Sequence, residues 1–155
     1  MNRKTNVHAE DGKQELTITR EFDLPVKLLF RAYEDPRILE RWMGTKVLKL
    51  ENKKLGGFQF ETKDSEGNIV FRANGVIHAF VQNQTIKRTF EMENSPFDVQ
   101  LEFLEFEELT DETSKLDMHV VYRSNKLRDQ MLKLPFKQGV NMAHNLLQEV
   151  VGKLK

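Results

Sequence analysis

The stretch FKQGVNMAHNLLQEVVGKL, residues 136–154, decides the fold class. Its apolar residues recur at the intervals of three and four that define one face of a helix, at Phe136, Val140, Ala143, Leu147, Val150 and Leu154. Pro135 precedes this stretch and predicts a break between the long C-terminal helix and a shorter helical segment that begins at Asn125. The chain is therefore predicted to close with its main helix.

Upstream of that helix, the apolar residues mostly follow a period of two, which is typical of strands. A first strand is predicted at 15–22, and Asp23-Leu24-Pro25 then favours entry into two short helices that are separated at Asp35-Pro36 and end near Gly44. The remaining strands are predicted at 46–50, 57–62, 69–80, 85–92, 99–109 and 115–122. This order predicts an α+β fold with a curved antiparallel sheet of about six or seven strands around the C-terminal helix.

Length and composition limit the classes of protein to which the chain can belong. Its 155 residues are 39% hydrophobic and 31% charged, which predicts one domain over 14–155 after a flexible N-terminal tail at 1–13. Basic and acidic residues balance at 24 each, so no overall positive field favours nucleic acid. No signal peptide or 18-residue apolar run is present, which predicts a cytoplasmic protein without membrane insertion.

The sequence lacks the usual signatures of metal and catalytic sites. It contains no cysteine, and its four histidines show no spacing that would place two on one helical face as metal ligands. A nucleophile elbow, a phosphate-binding glycine loop and a dinucleotide fingerprint are all missing. We therefore expect no metal and no cofactor, and the sequence names no catalytic residue.

Large apolar side chains share faces of the predicted strands through their even spacing. They are Phe58, Phe60, Phe71, Phe90, Met92, Met118 and Tyr122. An ordinary aromatic core and the wall of a ligand cavity are both compatible with this pattern. Flexible methionines at 92, 118, 131 and 142 would allow such a cavity to adapt its shape.

Several polar or amphipathic residues have two possible roles. Trp42, the only tryptophan, either anchors the second short helix or lies at the mouth of a cavity. Arg72 and Arg88 either face solvent or bind an anionic ligand, and parity with Phe90 favours an inward Arg88. The carboxylates between 102 and 112, Glu102 included, are interpreted as a solvated acidic edge, and residues 123–155 carry a basic excess.

The order of elements, together with a series of short motifs, resembles one family. The motifs are TREFDLP (19–25), FRAY (30–33), DP (35–36), LERWMG (39–44), GGF (56–58), FRANG (71–75) and GV (139–140). The chain is similar over about 16–154 to the activator of heat-shock-protein-90 ATPase homologue type, a branch of the START-like or SRPBCC superfamily with the helix-grip fold.

The resemblance implies a sheet that wraps the C-terminal helix and leaves a cavity for a small hydrophobic or amphipathic molecule. Val140 stands where family members often have tryptophan, and His144 stands where a leucine usually follows, so both are added to the cavity candidates. His144 is then either a hydrogen-bonded core residue or a polar group of the cavity. Three functions follow as expectations: ligand binding without catalysis, contact with an Hsp90-type chaperone, and an aromatase- or cyclase-like activity.

Overall fold

The computed structural model describes residues 3–155 and contains eight strands and four helices within that range. In chain order the elements are β1 (Asn6–His8), β2 (Glu15–Phe22), α1 (Val26–Glu34), α2 (Pro36–Met43), β3 (Lys46–Leu50), β4 (Gly57–Lys63), β5 (Ile69–Val81), β6 (Thr85–Met92), β7 (Val99–Thr110), β8 (Thr113–Val121), α3 (Asn125–Lys133) and α4 (Phe136–Gly152).

All eight strands form one antiparallel sheet in the order β1-β2-β8-β7-β6-β5-β4-β3. Strands β3 to β8 pair in sequence as a meander, and β2 then pairs with β8. The helices α1 and α2 connect β2 to β3, which forms the opposite edge of the sheet. Helix α4 packs against both of these helices. The predicted α+β helix-grip fold is confirmed.

The predicted tail contains a strand that the sequence analysis missed. Asn6–His8 pairs with Thr17–Thr19 of β2 and forms an edge of the sheet. Three residues are too few to show a period of two, so the sequence pattern did not indicate this strand, which forms through backbone pairing with β2. Met1 and Asn2 of the predicted tail lie outside the described residues.

Local chemistry sets the ends of the helices at the predicted positions. The Asp35 side chain accepts a hydrogen bond from the Arg37 backbone N–H and caps α2, whose first residue is Pro36. Gly44 ends α2 in the left-handed conformation, with φ of 66°. The predicted break at Pro135 is confirmed, because α3 ends at Lys133 and α4 begins at Phe136.

The buried apolar residues fall into three clusters that meet inside the curved sheet. One joins α1, α2 and α4 to β7 and β8, with Phe30, Leu104 and Leu147 fully buried. A second joins β2, β8 and α3, and a third joins α2 to β4 and β5. A cavity is lined by residues of all three clusters, so it lies where they meet.

Candidate functional site

The cavity has a volume of about 270 Å³ and a largely apolar wall. Strands β2, β6, β7 and β8 contribute inward-facing side chains on one side, and the helices close the other. The lining residues are Ile18, Tyr33, Leu39, Trp42, Met43, Arg88, Phe90, Met92, Gln100, Glu102, Met118, Val120, Tyr122, Met131, Phe136, Val140, Ala143 and His144.

Most of the residues proposed from the sequence line this cavity. They are Trp42, Arg88, Phe90, Met92, Met118, Tyr122, Val140 and His144. Strand parity places the β6 and β8 members on the same face of the sheet, on either side of the intervening β7. The flexible Met131 also lines the cavity, whereas Met142 lies 69% exposed on the outer side of α4 and does not.

The phenylalanines of β4 and β5 lie outside the cavity wall. Phe58 and Phe60 are fully buried with Ala73 in the third cluster, and the partly buried Phe71 packs against that cluster. At Gly75 an added Cβ would lie 2.3 Å from Cζ of Phe58, so the ring occupies the space that the glycine leaves. These three side chains therefore serve as core, the first of the two interpretations that the sequence allowed.

Arg88 and Glu102 form a buried ion pair at the cavity wall. Arg88 Nε donates to Glu102 Oε1 at 2.8 Å, and Gln100 Nε2 donates to Glu102 Oε2 at 2.8 Å. The Arg88 guanidinium carbon lies 5.1 Å from the ring centroid of Phe58 and 5.6 Å from that of Phe90, within the range of cation–π attraction. The pair compensates two charges that would be costly to bury singly.

The burial of Glu102 corrects the interpretation of residues 102–112 as an entirely solvated edge. Glu102 is only 4% exposed, because the β6–β7 register places it directly opposite Arg88. A signal for this was present in the sequence, since Glu102 shares its parity with the buried Leu104 and Phe106. Gln100 continues the same inward row and was also missed.

Two tyrosines add phenol groups to the cavity wall. Tyr33 of α1 and Tyr122 after β8 are both buried. Burial raises the pKa of each phenol well above its usual range, and the charges of nearby arginines and of Glu102 act on the pKa in opposite directions. Both groups are therefore uncharged hydroxyls at neutral pH. Tyr33 was missed because its helical spacing is that of ordinary core.

His144 is both a core residue and a polar group of the cavity. Its Nδ1 lies 2.7 Å from the Thr5 hydroxyl, which also accepts a hydrogen bond from Arg20 at 3.3 Å. Since the Thr5 oxygen has two lone pairs, it can accept from Arg20 and still either donate to Nδ1 of His144 or accept from it, and the contact is compatible with both tautomers of the neutral ring. Burial and the Arg20 charge lower the pKa of His144 to about 4.

Trp42 also combines its two predicted roles, whereas Arg72 takes only one. The Trp42 Nε1 donates to the Ala32 carbonyl at 2.7 Å, which anchors α2 to α1 while the indole lines the cavity. Arg72 pairs with Glu61 at the sheet surface, where its side chain is 40% exposed. This surface position corresponds to the solvent-facing interpretation of Arg72.

Neither a metal cluster nor a membrane helix is found in the described part of the chain. Residues 3–155 hold no group of three or more histidine, aspartate or glutamate side chains arranged to bind a metal ion. Within the same range, no helix has the length and apolar character needed to cross a bilayer.

Solved structures share the fold of this chain. A protein of Mycobacterium smegmatis is 22% identical, with a TM-score of 0.82 over 95% of this chain and 96% of its own. A protein of Rhodobacter sphaeroides is 16% identical, with a TM-score of 0.86 over 97% of this chain and 99% of its own. A protein of Arthrobacter aurescens is 19% identical, with a TM-score of 0.83 over 96% of this chain and 91% of its own. At these identities the likeness shows the fold alone.

The sequence itself matches one family model and no curated protein. The model is described as activator of Hsp90 ATPase homolog 1-like protein, and it matches residues 23–152. This range begins at the end of β2 and extends through α4, so it includes most of the sheet and almost all of the cavity wall. The chain therefore belongs to the family of activator of Hsp90 ATPase homolog 1-like proteins, within the START-like, helix-grip fold.

Proposed function

We propose that the protein binds a small hydrophobic or amphipathic molecule in the cavity between its sheet and α4, without chemical conversion. The observation that carries this proposal is the cavity of about 270 Å³ with its apolar wall and a few polar groups. Ligand sites in proteins combine these features, because apolar area supplies affinity and a few polar groups fix the orientation. The methionines at 92, 118 and 131 supply the flexible part of the wall.

Filling the cavity should abolish binding while the fold persists. In Val140→Phe, the larger side chain projects from α4 into the cavity and occupies space that a ligand needs. We expect at least a tenfold loss of affinity for undecan-2-one, a ketone without an aromatic ring. The measurement is the emission of Trp42, which is the only tryptophan and lines the cavity.

The matched control is Met142→Phe on the same helix, where the side chain is 69% exposed and outside the cavity. This variant should bind undecan-2-one as the wild type does. Equal affinity of Val140→Phe and wild type, or no detectable binding by the wild-type protein, would contradict the proposal. Native mass spectrometry of protein taken directly from cells would identify a retained ligand.

A second candidate function is contact with an Hsp90-type chaperone, and the description of the matched family favours it. The charge along the chain is uneven. Acidic side chains are concentrated along β7 and the turn after it, and basic residues predominate from residue 123 onward. We expect any such complex to weaken with added salt, because charge complementarity is screened. Titration of purified chaperone at low and high ionic strength, with its ATPase rate as a second readout, tests this, and no association at low salt would exclude it.

A further inference from the structure

We infer that the ligand of this cavity is an uncharged molecule with a hydrogen-bond acceptor, such as a ketone, an ester or an ether, rather than a carboxylate. This inference rests on the proposed ligand-binding function and names the chemical class of its ligand. It replaces the expectation that Arg88 binds an anionic group, because the structure supplies Arg88 with a carboxylate of its own.

The charges of the cavity wall disfavour a charged ligand. Among the lining residues only Arg88 and Glu102 carry charge at neutral pH, and they cancel. His144, which contacts the Thr5 hydroxyl, is neutral at this pH because burial and the Arg20 charge lower its pKa to about 4. A carboxylate ligand would bring an unpaired third charge against a largely apolar wall, where it would also meet the negative charge of Glu102.

The cavity wall offers more hydrogen-bond donors than acceptors to a ligand. Both oxygens of Glu102 already accept hydrogen bonds from protein groups. In residues 3–155 no acceptor pairs with the Arg88 Nη groups or with the Tyr33 and Tyr122 hydroxyls, all of which belong to residues that line the cavity. A ligand in the cavity that accepts hydrogen bonds from these groups gains polar contacts that an apolar ligand cannot make.

The volume of the cavity limits the size of the ligand. A dry protein cavity of ~150 Å³ holds benzene, so ~270 Å³ by simple scaling holds roughly eleven non-hydrogen atoms. A chain of this length has an apolar body and one functional group at its end. The limited volume therefore favours a single acceptor group and leaves the rest of the wall to apolar contact.

Three molecules of nearly identical shape show whether the cavity prefers an uncharged acceptor, a carboxylate or an apolar end group. They are undecan-2-one, decanoate and 2-methylundec-1-ene. They carry the same nine-carbon chain and end in a methyl ketone, a carboxylate and an isopropenyl group, respectively. With wild-type protein and Trp42 emission as readout, we expect the ketone to bind at least tenfold more tightly than decanoate and severalfold more tightly than the alkene. Decanoate binding as tightly as the ketone would overturn the inference.

The variant Glu102→Gln tests whether the negative charge of Glu102 is the reason that a carboxylate binds weakly. It keeps an oxygen that can accept from Arg88 Nε but removes the negative charge, so the cavity wall gains a net positive charge. We expect decanoate to bind at least tenfold more tightly than to wild type, and the ratio of ketone to decanoate affinity to fall by at least tenfold. Glu105→Gln is the matched control, because Glu105 lies on the same strand and faces solvent.

The outcomes separate the inference from the function on which it rests. Equal binding of the ketone and the alkene would overturn the inference and leave the apolar cavity as the binding site. An unchanged ratio of ketone to decanoate affinity in Glu102→Gln would also overturn it. If none of the three molecules binds the wild-type protein, the proposed ligand-binding function fails, and the inference fails with it.

Discussion

Replacing Arg88 by methionine should lower the free energy of unfolding by about 3–5 kcal/mol, because Glu102 would keep a buried charge without its partner. Glu102 is 4% exposed and Gln100 alone would remain to donate to it. The methionine fills most of the arginine volume, so packing contributes little of the loss. Chemical denaturation of the variant and of wild type at the same neutral pH measures the difference.

The double variant Arg88→Met/Glu102→Leu should recover at least ~2 kcal/mol of this loss, since replacing both partners of a buried ion pair by apolar groups is often neutral. Arg123→Met provides the control for a surface pair, because the side chains of Arg123 and of its partner Asp98 are 73% and 36% exposed. That single variant should cost less than ~1 kcal/mol. If the double variant loses as much free energy of unfolding as Arg88→Met and Glu102→Leu lose together, the loss comes from packing and not from the unpaired charge.

As the pH falls, protonation of His144 should destabilise the protein at pH values above those at which most carboxylates titrate. The folded-state pKa of His144 is about 4, below its ordinary value of 6.5. The unfolded state therefore binds a proton first as the pH falls, and stability is lost between pH 6.5 and pH 4. The difference in pKa corresponds to about 3 kcal/mol by the linkage relation.

Unfolding curves from pH 7 to pH 4 for wild type and His144→Gln test this expectation. The glutamine carries no titrating group and still offers an acceptor to Thr5, so its free energy of unfolding should depend less on pH in this window. The difference between the two curves isolates His144 from the carboxylates that both proteins share. Parallel curves would contradict the assignment of the lost stability to this side chain.

Most of the fold was predictable because each element carries its own local pattern. The bounds of β2, β3 and β6 agree with the sequence prediction, and the break at Pro135 follows from the backbone chemistry of proline. The exception is β1, which forms through pairing with β2. Three residues carry too little periodicity to indicate a strand.

The candidate site was predictable only in part, because parity gives the face of a residue but not its partner. Parity indicated an inward Arg88, and the structure buries it. It did not indicate Glu102, which is 14 residues away and becomes its neighbour through the β6–β7 register. The same limit applies to Phe58, whose inward face is occupied by packing over Gly75.

The sequence by itself determined the order and type of nearly all elements, the helix ends and the family, because these depend on neighbours within a few turns of the chain. Only the tertiary structure decided which inward side chains surround a cavity and which fill the core. It also decided that Arg88 is neutralised by Glu102. Both depend on strand register and on the position of α4, which bring together residues that no local pattern connects.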